Sequence, residues 1–350
     1  MAPPFELGLH NFIERSPHPV GGHMPSPAQR MAEAIEEIAL ADEVGLDVYG
    51  VGEHHREEFV ASAPAVILAA AAARTKRIKL TSTVTVLSSD DPVRVFQQFA
   101  TLDLISNGRA EITAGRGSFI ESFPLFGYDL NDYHDLFAEK LELLVALRDQ
   151  TRVTWSGRFR APLVDQPVYP RPAQPKLPVW VAVGGTPESV VRAATLGLPL
   201  AVAIIGGMPE HFAPLIELYR EAAAEAGHDP ATLPVSINSL GFIADDAKTA
   251  AETMWPPYFA MMPKIGKERG WSPMTRQQFD WSYTPRGSNF VGAPNQIIDK
   301  ILAQHAMFGH NRFLMQFGIG GANHMAAMRA IELYGTVVAP AVRKALAAPA

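Results

Sequence analysis

Glu53-His54-His55 places a carboxylate and two imidazoles in consecutive positions. An imidazole with an ordinary pKa of about 6.5, facing a cleft, can take or return a proton near neutrality. Two other stretches suit an anion. Gly184-Gly185-Thr186-Pro187-Glu188-Ser189 reads as a turn from a strand into a helix. Its glycines let backbone approach closely, Pro187 fits a first helical turn, and the free N–H groups there attract phosphate. Arg116, between Gly115 and Gly117, can reach the same anion as a charge-assisted donor. Each feature also has a plainer reading, a tight turn in one case and an arginine paired with a carboxylate in the other. Their occurrence at two neighbouring strand ends favours a phosphate site.

Other chemistries fare worse. The chain has no cysteine, which excludes disulfides, iron–sulfur ligation, a thiolate zinc site and a Cys nucleophile. A barrel metallohydrolase wants His-x-His on its first strand, where only His10 stands. Neighbouring His54 and His55 point to opposite faces of a strand and cannot share a metal, so none is expected. A glycosidase needs two facing acids, and only Glu53 is offered. A net charge of −6 over 350 residues argues against nucleic acid as a partner. The start of the chain lacks a secretory pattern. The apolar run from Ala63 to Ala73 is too short to span a bilayer, so a soluble, cytoplasmic protein is expected.

The elements that must position these residues alternate. Strand patterns cover Glu6–Phe12, Asp47–Gly52, Ile78–Leu87, Arg109–Ala114, Val179–Val183, Leu200–Ile205, Val235–Ala244 and Arg312–Phe317. Helical patterns lie between them, at Ser26–Leu46, Pro64–Arg74, Pro92–Ile105, His134–Arg148, Pro187–Leu196 and Pro209–Ala226, and a helix follows each of the last two strands. Eight such units without a composition break predict one α/β domain over residues 1–350, a (β/α)8 TIM barrel. An open doubly wound sheet would carry G-x-G-x-x-G after its first strand, and none stands there. A segment of about 255–294, between the seventh and eighth strands, does not fit the repeat. Such a long connection is expected either as an extra helical excursion packed outside the barrel or as a lid over its C-terminal mouth.

Several blocks in order resemble one family. They are Gly52-Glu53-His54-His55, Thr83-Val84-Thr85-Val86-Leu87 with Asp91-Pro92-Val93-Arg94, Leu102 to Arg109, Ala114-Gly115-Arg116-Gly117, and Ala193 to Pro199. Together they are similar to the bacterial luciferase-like flavin monooxygenases, most specifically from Gly45 to Glu142. The resemblance implies a barrel that binds reduced FMN, delivered by a separate NAD(P)H-dependent flavin reductase. Dioxygen and the flavin then form a peroxyflavin that oxygenates a small organic substrate. It further implies that Arg116 and Ser118 hold the FMN phosphate with Gly184, Gly185, Thr186 and Ser189. Thr83–Val84 would be a cis peptide beneath the flavin ring, His54 the catalytic histidine, and the chain a homodimer. His55 is expected to be structural. Luciferase has a reactive Cys where this chain has Gly115, which argues against light emission.

Two rivals remain at this level. A deazaflavin-dependent dehydrogenase would use the same phosphate turn and transfer hydride, and a non-catalytic flavin-binding protein would have lost parts of the barrel. The substrate is open. Met261, Met262, Trp271, Trp281 and Tyr283 suggest either an apolar pocket wall or plain core. Lys264, Lys267, Arg269, Arg276 and Arg286 suggest either attraction for an anion or a solvated face.

Overall fold

The computed structural model describes residues 5–347 except 16, 18–21, 118, 270–271, 273 and 318–320, and leaves out the side chains of 265, 268 and 269. In chain order the elements are β1 (Glu6–Asn11), α1 (Pro27–Glu43), β2 (Val48–Val51), α2 (Pro64–Ala72), β3 (Lys79–Ser82), β4 (Thr85–Val86), α3 (Pro92–Ser106) and β5 (Ala110–Gly115). Then come α4 (Ser122–Phe126), α5 (Tyr133–Asp149), β6 (Arg152–Trp155), β7 (Leu163–Pro167), β8 (Val179–Val183), α6 (Pro187–Thr195), β9 (Leu200–Ile204) and α7 (Ala213–Glu225). The chain closes with β10 (Val235–Ile243), α8 (Ala247–Arg269), α9 (Arg276–Ser282), β11 (Phe290–Gly292), α10 (Pro294–Phe308), β12 (Arg312–Phe317), α11 (His324–Leu333) and α12 (Ala339–Ala347).

Parallel pairing runs β12-β1-β2-β3-β5-β8-β9-β10 and returns from β10 to β12, so eight strands close a (β/α)8 barrel. Helix starts follow local chemistry. Ser26 caps α1 by accepting from Gln29 N, and Asp91 caps α3 by accepting from Val93 N and Arg94 N, each with Pro at the first helical position. Leu7, Leu9, Ile112, Val181 and Val202 are buried between barrel and helices, the burial that drives closure.

Alternate residues face the barrel interior in layers. The β1–β12 register pairs Glu6 with Arg312, Gly8 with Leu314 and His10 with Gln316. The lowest layer is ionic. Arg312 donates to both Glu111 oxygens at 2.6 and 3.0 Å and to Glu6 at 2.7 Å, while Lys79 donates to Glu6 at 2.6 Å. Since β5 and β12 stand four places apart in the ring of eight, this guanidinium crosses the barrel floor. Burial opposes charge on Glu111, yet Arg312 and Lys79 hold it below the usual carboxylate range.

Two features depart from the expected strand pattern. The third strand breaks into β3 and β4 around the expected cis Thr83–Val84 peptide. The segment after β10, for which a helical excursion was one of two readings, is mostly helical, with α8 running through Pro256, Pro257 and Pro263. A β6–β7 hairpin, not foreseen, precedes β8. The C-terminal run His324–Ala347 is long and apolar enough to cross a membrane, but half of its most apolar window is buried inside the protein, where α11 packs on α1.

Candidate active site

The C-terminal ends of the strands open into a cavity of about 710 Å³. Small residues on β8 and β9, including Ala182, Ala201 and Ala203, let it reach down into the barrel. Phe12, Phe59, Phe119 and Phe212 line it together with Tyr258, Met261, Met262 and Met274 from the segment after β10.

One end suits an anion. Gly184 and Gly185, with φ +122° at Gly185, make a turn where a Cβ on either glycine would meet no atom within 4 Å. That empty cradle lies at the N-terminus of α6, whose cap residue Thr186 makes no side-chain capping bond. Instead the Thr186 hydroxyl accepts from Arg116 Nη2 at 3.3 Å. Arg116 Nη1 lies 2.8 Å from His134 Nδ1, and its guanidinium stacks 5.0 Å from the Tyr133 ring. Arginine, helix dipole and open backbone thus converge at one end of the cavity. Glycine at 115 has a packing reason, since a Cβ there would stand 2.7 Å from Val84 Cγ2. A cysteine would displace the valine that carries the cis peptide's C-terminal side.

Toward another wall, His54 is buried among Phe12, Phe59 and Phe119, with ring centroids 4.6, 4.6 and 4.2 Å away. Its Nδ1 lies 3.3 Å from Glu121 Oε1, and the other Glu121 oxygen accepts from Arg56 Nη2 at 3.1 Å. Burial pushes the imidazole below its ordinary value, against the opposing pull of Glu121. Burial also opposes charge on Glu121, but the hydrogen bonds from His54 and Arg56 help bring it down to about 2. The resting pair is therefore a neutral imidazole donating through Nδ1 to a carboxylate. That tautomer leaves Nε2 as the nitrogen able to take a proton.

Among the residues singled out in the sequence, His54, Thr83, Val84, Arg116, Gly184 and Thr186 all line this cavity. Gly185 lies between two of them on the turn. Ser189, the third residue of α6, is buried. Ser118, like Trp271 and the side chain of Arg269, lies outside the described residues. Neighbouring His54 and His55 do diverge. His55 Nε2 bonds Glu53 Oε1 at 2.9 Å and faces a separate cavity of about 180 Å³.

Met261 and Met262 face the large cavity, whereas Trp281 is exposed and Tyr283 bonds Asp280 at 3.0 Å. Lys264, Arg276 and Arg286 are paired with Glu58, with Glu252 and Asp280, and with Glu210 respectively. Four participants escaped the sequence reading. Glu121, His134 and Tyr133 lie in a stretch read only as linker and helix, and Phe12 gave no signal beyond strand pattern. Phe12 is presented by an unusual turn, in which Ile13 adopts φ +55° with its N–H donating to Asn11 Oδ1 at 2.6 Å.

Residues 12–312 match a family model described as luciferase-like monooxygenase. The alkanal monooxygenase alpha chain of Photobacterium leiognathi is 26% identical over 89% of this chain and 94% of its own. The F420-dependent glucose-6-phosphate dehydrogenase of Amycolatopsis mediterranei is 33% identical over 44% of this chain and 48% of its own. Among solved structures, the monooxygenase RslO1 from Streptomyces bottropensis shares the fold. Its TM-score is 0.80 at 24% identity, covering 96% of this chain and 99% of that one.

Proposed function

The chain belongs to the luciferase-like monooxygenase family, and from that premise we propose that it is an FMN-dependent monooxygenase acting on a small organic substrate. The observation that carries this reading is one cavity joining a glycine turn and arginine suited to an anion to a buried, carboxylate-held histidine. A phosphate fits the residues present: Arg116, Thr186, the Gly184–Gly185 backbone and the first turn of α6 would hold it, with Ser118 and Ser189 as the family pattern implies. His134 would fix the Arg116 fork. Reduced FMN, supplied by a separate NAD(P)H-dependent reductase, brings the electrons with which dioxygen is activated.

His54 takes a proton on Nε2 and returns it, while ionised Glu121 stabilises the transient imidazolium. Phe12, Phe59 and Phe119 keep water from that exchange. The α8–α9 segment serves as the lid, its Met261, Met262 and Met274 forming the outer wall and Lys264–Glu58 tying it to the His54 segment. The protein would work in the cytoplasm as a homodimer that covers exposed Val66, Leu104 and Ile105 on α2 and α3.

The 33% identity to an F420-dependent dehydrogenase favours one rival cofactor, a deazaflavin. Anaerobic equilibrium binding of reduced FMN, oxidised FMN and reduced deazaflavin separates the two. Selective binding of reduced FMN, weakened at least tenfold by Arg116→Ala as loss of a charge-assisted contact requires, is the expected result. Selective deazaflavin binding would turn the function to hydride transfer. No binding of any of the three would remove the flavin reading.

A further inference from the structure

His10 and Gln316 share the top layer of the barrel as register partners on β1 and β12, and both line the large cavity. His10 is only 5% exposed, and neither of its ring nitrogens has a hydrogen-bond partner. Thr83 Oγ1 is likewise buried and unpartnered. The two side chains flank Gly50, whose added Cβ would stand 2.8 Å from Thr83 Oγ1 and 2.9 Å from His10 Cβ. Leaving such groups unpaired is costly, so their presence in a cavity wall calls for a partner from the occupant.

The chemistry of that occupant follows from what surrounds it. Arg116 is the one Lys or Arg among the described residues lining the cavity, and it stands at the anion cradle. Lys264, Arg276 and Arg286 on the covering segment are held in ion pairs. The remaining wall is mainly apolar, with Phe, Met, Ala and Tyr, and its two carboxylates are Glu14 and Glu53, the latter bonded to His55 and Val86 N. Among the described residues lining the cavity, no second cation is left over for a substrate carboxylate. Burial lowers the His10 pKa to about 3, so its ring stays neutral and offers one donor and one acceptor.

We propose that the cavity takes an uncharged, largely apolar or aromatic substrate whose hydroxyl or carbonyl oxygen is hydrogen-bonded by His10. This specificity rests on the monooxygenase reading of the same cavity. Thr83 Oγ1 and Gln316 stand beside that contact as further neutral partners, and Phe12, edge-on to His10 with centroids 6.0 Å apart, is part of the aromatic surround.

Calorimetric titration of 2-naphthol, 2-naphthoate and naphthalene tests this on wild type, His10→Phe and His10→Asn, with and without saturating FMN. Wild type is expected to bind 2-naphthol at least tenfold tighter than 2-naphthoate. His10→Phe should lose about tenfold for 2-naphthol and nothing for naphthalene, the size of one lost hydrogen bond. His10→Asn, which keeps a donor and an acceptor, should recover most of the difference. Wild-type protein carrying 15N-histidine gives a readout that needs no variant, because naphthol binding should shift the His10 ring nitrogens.

Preference for naphthoate, no saturable naphthol binding, an unmoved His10 signal, or a His10→Phe loss confined to FMN affinity would each overturn the proposal. A wild type that prefers naphthol yet binds no flavin would sink the cofactor reading and leave this one standing. Flavin binding without the naphthol preference would do the reverse.

Discussion

At the barrel floor Arg312 spends all three of its guanidinium nitrogens on Glu6 and Glu111, whereas two layers higher His10 spends neither of its ring nitrogens. Both side chains are buried and both face the barrel interior. The floor is closed electrostatically, with the guanidinium also stacked 4.2 Å from the Trp180 ring. The mouth is left open to be completed by something else. A barrel of this kind separates the two tasks by height along its strands: satisfied groups below fix the scaffold, unsatisfied groups above wait for a ligand.

Arg312→Met is the strongest way to break that comparison. It takes the buried guanidinium from Glu111 and Glu6 and leaves the two carboxylates only the half-exposed Lys79, which should cost about 3–5 kcal/mol of stability. Urea unfolding would read it as a lower midpoint. FMN affinity of the protein that remains folded should not move. A fall in affinity matching the fall in stability would show that floor and mouth are one unit.

The converse substitution lies at the mouth. Glu121→Gln keeps the shape of the His54 partner but removes its charge, so the imidazolium formed during turnover loses its stabiliser. Turnover should drop at least tenfold, about 1.4 kcal/mol or more of transition-state free energy, while the unfolding midpoint stays within about 0.5 kcal/mol. Steady-state rates with substrate, measured across pH, check it. An unchanged rate would reduce Glu121 to a strut that pins the 54–56 segment to the chain after β5.

These two experiments also mark what could be read from residues alone. Strand periodicity and strand-end position were enough for the barrel and the Arg116–Thr186 meeting, while the cis Thr83–Val84 bond was legible only through the family resemblance. Glu121 is a different case. It reaches His54 across 67 positions, from a stretch with no periodicity to flag it. Arg312 and Glu111 are 201 positions apart, and only closure of the barrel brings them together. The β6–β7 hairpin went unread because its strands are short, half exposed and polar. A helix after β10 was legible, but its run to Arg269 through three prolines was not, because packing overrides their local preference against a helix.

A pair of histidines sharpens the comparison further at smaller cost. His10 at the mouth and His310, just before β12 on the floor side, are both buried, and burial lowers each to about 3, for His310 against a backbone hydrogen bond with Gln304. The unfolded chain binds a proton on each once pH falls below about 6.5, while the folded chain refuses it until about 3. Their contribution to stability is thus complete above pH 6.5 and is lost progressively on acidification. At pH 5.5, one unit into that window, each should cost about 1.4 kcal/mol relative to neutral pH. His10→Asn and His310→Asn should each flatten the acid limb of a urea-midpoint profile by the same amount. A neutral ligand should raise the stability of wild type without changing the slope of its acid limb, since the folded His10 ring is already neutral there; His10→Phe should remove most of that increment and His310→Asn none of it. Equal ligand effects at both positions would mean that the two histidines belong to one buried network and that height along the strands does not separate scaffold from site.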